Sequence, residues 1–260
     1  CLVCTATYLV NIAIAILAFL LGSLLIPLQT QVEIRKYDET QRILEQAREA
    51  LLGYAAAYGY FPCPADYALG SSGAEVTHTV ATGACAATVN GGATTGIYIG
   101  YLPSVTLGFT PTDASGYAVD AWGITQNRIR YAVSYSTVNS VSNPFTRSSG
   151  MRSAGMSSIM GATLLSVCTT AAGSSASACA SAATTLTSNA IVVIWSLGPN
   201  AATGGTSSDE VENAEALASV DRVFIKKDKT AGTGPEFDDI VTWISPPMLF
   251  NRLIAAGQLP

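Results

Sequence analysis

Six cysteines, one histidine and a run of acidic residues are the side chains of this 260-residue sequence with chemical reach. Cys63 and Cys85 flank a Gly/Ala/Thr-rich stretch, and Cys168 and Cys179 flank a shorter Ala/Ser one. Outside a reducing compartment each pair would staple a loop with too little apolar content to hold itself, worth about 2–4 kcal/mol per bridge. Cys1 and Cys4 form a C-x-x-C, but a zinc site needs a second ligand pair and covalent haem needs a histidine where Thr5 stands. They read as small apolar helix residues. Asp209, Glu210, Glu212 and Glu215, with Asp238 and Asp239 further on, are read either as a hard-cation site, calcium being the candidate, or as a solvated acidic face. His78 lies in a Thr/Ala loop with no evident partner. The sequence has no G-x-S-x-G, H-E-x-x-H or phosphate-binding Gly-Lys-Ser/Thr, so catalysis is not expected, and apart from calcium no cofactor.

The elements that must position these residues follow from where the charges are. The chain is 49% hydrophobic and only 12% charged, against about a quarter charged in an average soluble domain. Residues 1–32 carry no charge; residues 33–49 carry nine, residues 50–206 only eight, and residues 207–260 fourteen. With a net charge of −5 there is no phosphate-tracking surface, which excludes a nucleic-acid binder.

From Leu9 to Leu28 only Asn11 and Ser23 are polar. Twenty residues in helix span about 30 Å, the thickness of a bilayer core, and the run is longer than the apolar region of a cleavable signal peptide. Gly22 and Pro27 lie inside it, and the backbone hydrogen bond that Pro27 removes predicts a kink or local unwinding. Ile34, Tyr37, Leu44, Ala47, Leu51, Tyr54, Ala55 and Tyr58 then recur at three- and four-residue steps up to Gly59, Pro62 and Pro64. Residues 1–59 are expected to form one helical rod, apolar over 1–28 and amphipathic over 29–59, with its tyrosines as packing anchors.

Residues 60–260 are expected to form a β-rich head. Strands are placed at Ile97–Leu102, Arg128–Ser136, Ala190–Ser196, Val220–Lys226 and Asp239–Ile244. Within Ser148–Asn189, Ile159–Cys168 is read as a short helix and the rest as loop or an edge hairpin. The fold class is therefore α+β, a long helix packed on an antiparallel sheet.

Certain strings resemble type IV pilins and secretion pseudopilins. They are the apolar helix with internal Gly and Pro, Glu39-Thr40-Gln41-Arg42, Glu49–Tyr54, the helix exit Phe61-Pro62-Cys63-Pro64-Ala65, the turn Asp120-Ala121-Trp122-Gly123 with Arg130-Tyr131, and Phe237–Ser245. Ser196-Leu197-Gly198-Pro199-Asn200 resembles the start of the calcium loop of major pseudopilins. One departure stands out: aligned on Gly22 and Pro27, the chain has Leu9 near the place of the family's glutamate, and no carboxylate precedes Glu33.

The resemblance implies a pilin-like fold and a structural subunit of an extracellular type IV pilus-like filament. Its spine would be Leu9, Ile12, Ile16, Phe19, Leu20 and Leu24, with Gly22 and Pro27 unwinding in the fibre. It further implies an inner-membrane stage, an assembly platform and then copies of itself as partners. A pseudopilin of a type II secretion system is the alternative, and a single-pass ectodomain that binds a ligand through its Gly/Ser loops is a third reading.

Overall fold

The computed structural model describes residues 2–67, 72–89, 96–123, 127–205, 207–214, 221–230 and 237–259. Within the first helix, side chains are described at 11, 12, 14–17, 19 and from 30 onward. The chain divides into two units, Cys1–Glu39 and Thr40–Pro260.

The first unit is helical, belonging to α1, assigned from Leu2 to Tyr58 and uninterrupted at Gly22 and Pro27. Its described apolar side chains are exposed: Ile12, Ile14, Ile16, Leu17 and Phe19, then Val32 and Ile34.

In the second unit α1 becomes one-faced. Thr40, Ile43, Leu44, Ala47, Leu51, Leu52 and Ala55 are buried at the three- and four-residue steps of a single helical stripe. The helix stops because Gly59 takes a left-handed φ of 78° and its N–H returns to the Ala55 carbonyl, an end that a residue with a Cβ reaches at a cost. The Gln258 side chain donates to the otherwise unsatisfied carbonyls of Ala56 and Ala57.

The remaining elements are β1 (His78–Thr79), β2 (Ala84–Cys85), β3 (Ile97–Tyr101), α2 (Ser104–Leu107), β4 (Arg130–Ser134), α3 (Gly150–Ala154), α4 (Met156–Met160), β5 (Leu165–Cys168), β6 (Thr185–Ala190), β7 (Val192–Ser196), α5 (Ser208–Ala214), β8 (Val223–Ile225), β9 (Ile240–Ile244) and α6 (Pro246–Ala255). Strands β3-β4-β7-β9 form an antiparallel sheet, β6-β5-β8 form a second sheet, and β1 and β2 make a ribbon.

The first sheet is buried on both faces, and the register shows by what. Tyr131, Ile194 and Thr242 lie in one cross-strand row and share a face. Tyr131 Oη donates to the carbonyl of Pro62, just beyond α1, and Thr242 accepts from Arg48 of α1, so α1 covers this side. The alternate residues, including Ile97, Ile99, Ala132, Val193, Trp195 and Val241, join Leu165, Val167 and Phe224 of the second sheet in one core cluster.

This architecture corrects the expected fold on two counts. No helix among the described residues is long and apolar enough to cross a membrane. The described side chains of α1 pass from a short apolar stretch at 11–19 to a segment carrying Glu33, Arg35, Lys36, Asp38 and Glu39, so no described stretch combines length with apolarity. Nor is the head the single antiparallel sheet of a pilin-like fold, because β5 pairs antiparallel with β6 but parallel with β8. The 148–189 segment supplies the difference. Ile159–Cys168 is not one helix: α4 ends at Met160 and Leu165–Cys168 is a strand buried throughout. A mainly apolar stretch, broken only by Gly161, Thr163 and Ser166, suits a buried strand as well as a helix, and pairing with β6 and β8 decided it.

Candidate functional site

Three groups of residues bear on function. The first is the exposed part of α1. Ile12, Ile16 and Phe19 fall at i, i+4 and i+7 on one face, while Ile14 and Leu17 occupy another, so the apolar surface runs round the helix. Phe19 is 77% exposed. A helix apolar on all sides is stable in water only when something covers it. Of the other spine residues, the side chains of Leu9, Leu20 and Leu24 lie outside the described residues, as does that of Pro27.

The second group is the acidic corner of the head. Asp209, in the first turn of α5, faces the Cys168–Cys179 loop: it meets Lys227 Nζ at 2.5 Å and accepts from the Ala171 N–H at 2.7 Å and Thr170 Oγ1 at 3.0 Å. Burial opposes its charge, but these donors outweigh burial and hold its carboxyl below the usual range. Glu210 turns the other way, accepting from Asn200 Nδ2, the Ser207 N–H and the Asp238 N–H. Asp239 is buried against Asn213 Nδ2 at 2.8 Å. Burial pushes its pKa well up, and the charges of Asp238 and Glu210 add to the effect against that hydrogen bond. Glu212 is engaged with Asp221. Asp209, Glu210, Glu212 and Asp239 therefore share a region but point to separate partners. Glu215 lies outside the described residues.

The Asp120-Ala121-Trp122-Gly123 turn forms a joint beside them. Asp120 Oδ1 accepts from the Trp122 N–H, closing the turn, and Oδ2 accepts from Asn127 Nδ2 at 3.0 Å and Ser196 Oγ at 2.5 Å. Thr40 of α1 accepts from the Ala121 N–H. Asp120 thus fastens the turn to β7, and Thr40 fastens it to the helix. The signal was available in the Asp-Ala-Trp-Gly string, because Asp commonly caps the backbone two residues ahead.

The third group surrounds the first disulfide. Both cysteine pairs are closed, Cys63–Cys85 and Cys168–Cys179, with Cα atoms 5.7 and 5.6 Å apart. His78 on β1 lies opposite Cys85 on β2. Its Nδ1 is 3.1 Å from Glu75 Oε2 and its Nε2 is 2.7 Å from the Thr146 carbonyl oxygen. Glu75 Oε2 also accepts the Cys63 N–H at 3.0 Å, and Tyr60 meets the imidazole edge-on at 5.5 Å. Cys63, Glu75 and His78 bring three potential metal-ligand atoms within 4.8 Å of one another. With Cys63 bonded to Cys85 that set lacks a thiolate.

The cysteine pairs are legible from their spacing; the Thr146 partner of His78 is not, because it lies 68 residues away, and Glu75, three residues before His78, belongs to no pattern that marks it. A further small cavity of about 160 Å³, lined by Tyr58, Ser149, Arg152 and Gln258, is polar, and its Arg152 already donates to the Gln258 carbonyl. Comparison of the chain with protein-family models, with curated proteins and with solved structures finds no match.

Proposed function

We propose that the chain is a structural subunit of a helical homopolymer, an extracellular filament of the type IV pilus kind, assembled through its N-terminal helix. The observation that supports this is the exposed apolar surface at Ile12, Ile14, Ile16, Leu17 and Phe19, on a sequence without charge up to residue 32. Burying such a side chain contributes about 1.5–3 kcal/mol, and identical helices packed side by side offer every copy the same cover. Before assembly the uncharged segment would rest in the inner membrane, delivered to an assembly platform. The head, short of charge and rich in hydroxyl groups between residues 50 and 206, suits a solvent-facing coat.

Shearing cells that produce the chain and imaging the released material by electron microscopy tests the reading. Long fibres containing the chain support it. Short membrane-retained assemblies point instead to a secretion pseudopilin, and a chain that stays monomeric in the membrane defeats both.

A further inference from the structure

His78 is the only histidine in the sequence, and its side chain is 5% exposed. The Thr146 carbonyl can only accept, so Nε2 carries a proton. A neutral imidazole has no second N–H, which leaves the Nδ1 lone pair facing Glu75 Oε2, another acceptor, at 3.1 Å. A positive species between the two atoms resolves the conflict, and the chemistry of the corner offers two: a proton or a metal cation. Zinc bonds of about 2.0–2.1 Å to nitrogen and oxygen, at a slightly compressed tetrahedral angle, reproduce that separation. A histidine whose far nitrogen donates to a backbone carbonyl has the support that metal-bound imidazoles use, since it fixes the tautomer and aims the other nitrogen.

Cys63 Sγ lies within 4.8 Å of the histidine and glutamate ligand atoms; the Cys85 sulfur, bonded to it and carried across the ribbon from His78, stands outside that group and must turn in once the S–S bond opens. Cys168–Cys179 has no such company among the described residues.

We propose that reduction of Cys63–Cys85 creates a tetrahedral zinc site made by Cys63 Sγ, Cys85 Sγ, His78 Nδ1 and Glu75 Oε2. The loop is then closed by a disulfide in one state and by zinc in the other. In the forward direction a dithiol reductant passes two electrons and two protons to the S–S bond, giving two thiols and becoming a disulfide itself. Zinc then displaces both thiol protons to solvent, and the sulfurs part to opposite corners of the metal. In the reverse direction a peroxide takes two electrons from the bound thiolates and, with two protons, becomes water; the S–S bond re-forms and zinc leaves. None of this depends on the filament reading.

Cobalt(II) is the probe, because thiolate-to-cobalt charge-transfer bands report the sulfur ligands and intense visible bands report tetrahedral geometry. The full chain in detergent is reduced with a phosphine and titrated with cobalt(II), then with zinc as competitor. One equivalent should develop both sets of bands, and zinc should erase them. The oxidised chain should show neither, and Cys168→Ser with Cys179→Ser should leave them intact. His78→Gln and Glu75→Gln should each weaken binding by more than the roughly 10–100-fold that changes beyond the ligands themselves cause.

Absence of the thiolate band in the reduced wild-type chain overturns the proposal, as does a band unchanged by His78→Gln. Circular dichroism of the same samples covers loss of fold: a reduced chain that regains structure on adding metal supports the site, and one that neither folds nor binds refutes it. A histidine ring doubly protonated by nitrogen NMR in the reduced, zinc-treated chain also refutes it, because a proton then holds the pair.

Discussion

Replacing Phe19 by alanine should separate assembly from folding. The ring is 77% exposed, so its removal takes almost nothing from the isolated chain, and the change in stability should stay within about 0.5 kcal/mol. In a polymer built through this surface the ring passes from water to a packed interior. Losing most of a phenylalanine then costs about 2–3 kcal/mol for each buried copy. At 1.4 kcal/mol per factor of ten, the concentration at which subunits leave solution should rise by roughly 30- to 150-fold. The assay is sedimentation of detergent-solubilised chain as the detergent is diluted, reading the protein left in the supernatant at plateau. Val105→Ala is the matched control, since Val105 is 54% exposed but lies on α2 of the head. Equal plateaus for the two variants would refute self-assembly through the helix. A marked drop in the melting temperature of Phe19→Ala would show that the ring already has a partner within the chain.

Three further changes probe the head. Asp113 accepts from Arg128 Nε at 2.7 Å, and although burial opposes its charge, the Tyr117 N–H, Arg128 and the Ser115 N–H lower its pKa, so its stabilising effect is present above about pH 3.9 and lost as pH falls through the folded value. Asp113→Asn should cost about 1.5–3 kcal/mol at neutral pH in denaturant titrations, with the gap to wild type closing as pH falls through the folded value. Asp239 is the opposite case: burial raises its folded pKa, so stability is full below about pH 3.9 and declines as pH rises toward the folded value. Asp239→Asn should therefore melt higher than wild type at neutral pH and equally in acid; a lower neutral melting temperature would contradict the sign. Gly198→Ala should destabilise by about 1–3 kcal/mol, because φ is 65° and a Cβ there would overlap Asp238 backbone and side-chain oxygens; wild-type stability would mean that the segment at Asp238, leading into β9, yields easily.

The parts of the fold legible in the sequence were those whose burial is written in apolar type. Val192–Ser196 and Ile240–Ile244 are β-branched and aromatic runs, and they form adjacent strands of the four-stranded sheet. Of the second sheet only β8, inside the expected Val220–Lys226 strand, was legible; Thr185–Ala190 is half hydroxylic with alternate residues exposed, and β5 lies in a mainly apolar stretch that also suits a helix. Helix α6 was legible in principle: Ser245, two prolines, and Leu249, Phe250 and Leu253 at helical spacing announce it. The acidic corner was found as a cluster but not as separate ties, since nothing local shows that Asp209 faces Lys227 while Glu210 faces Asn200. Carboxylate orientation depends on loops brought together by tertiary structure.

The order of strands in the central sheet sets when the head can exist. Strand β7 lies between β4, some sixty residues earlier, and β9, some fifty residues later, and the Val192↔Ile244 pairing has no local substitute. Chain closure over such separations comes before the contacts that reward it, which places folding in the slow range for a domain of this size. During N-to-C emergence α1 and the cysteines at 63 and 85 are exposed long before β9 arrives to finish the sheet. For that interval the Cys63–Cys85 loop, whether closed by sulfur or open, lacks the finished four-stranded sheet.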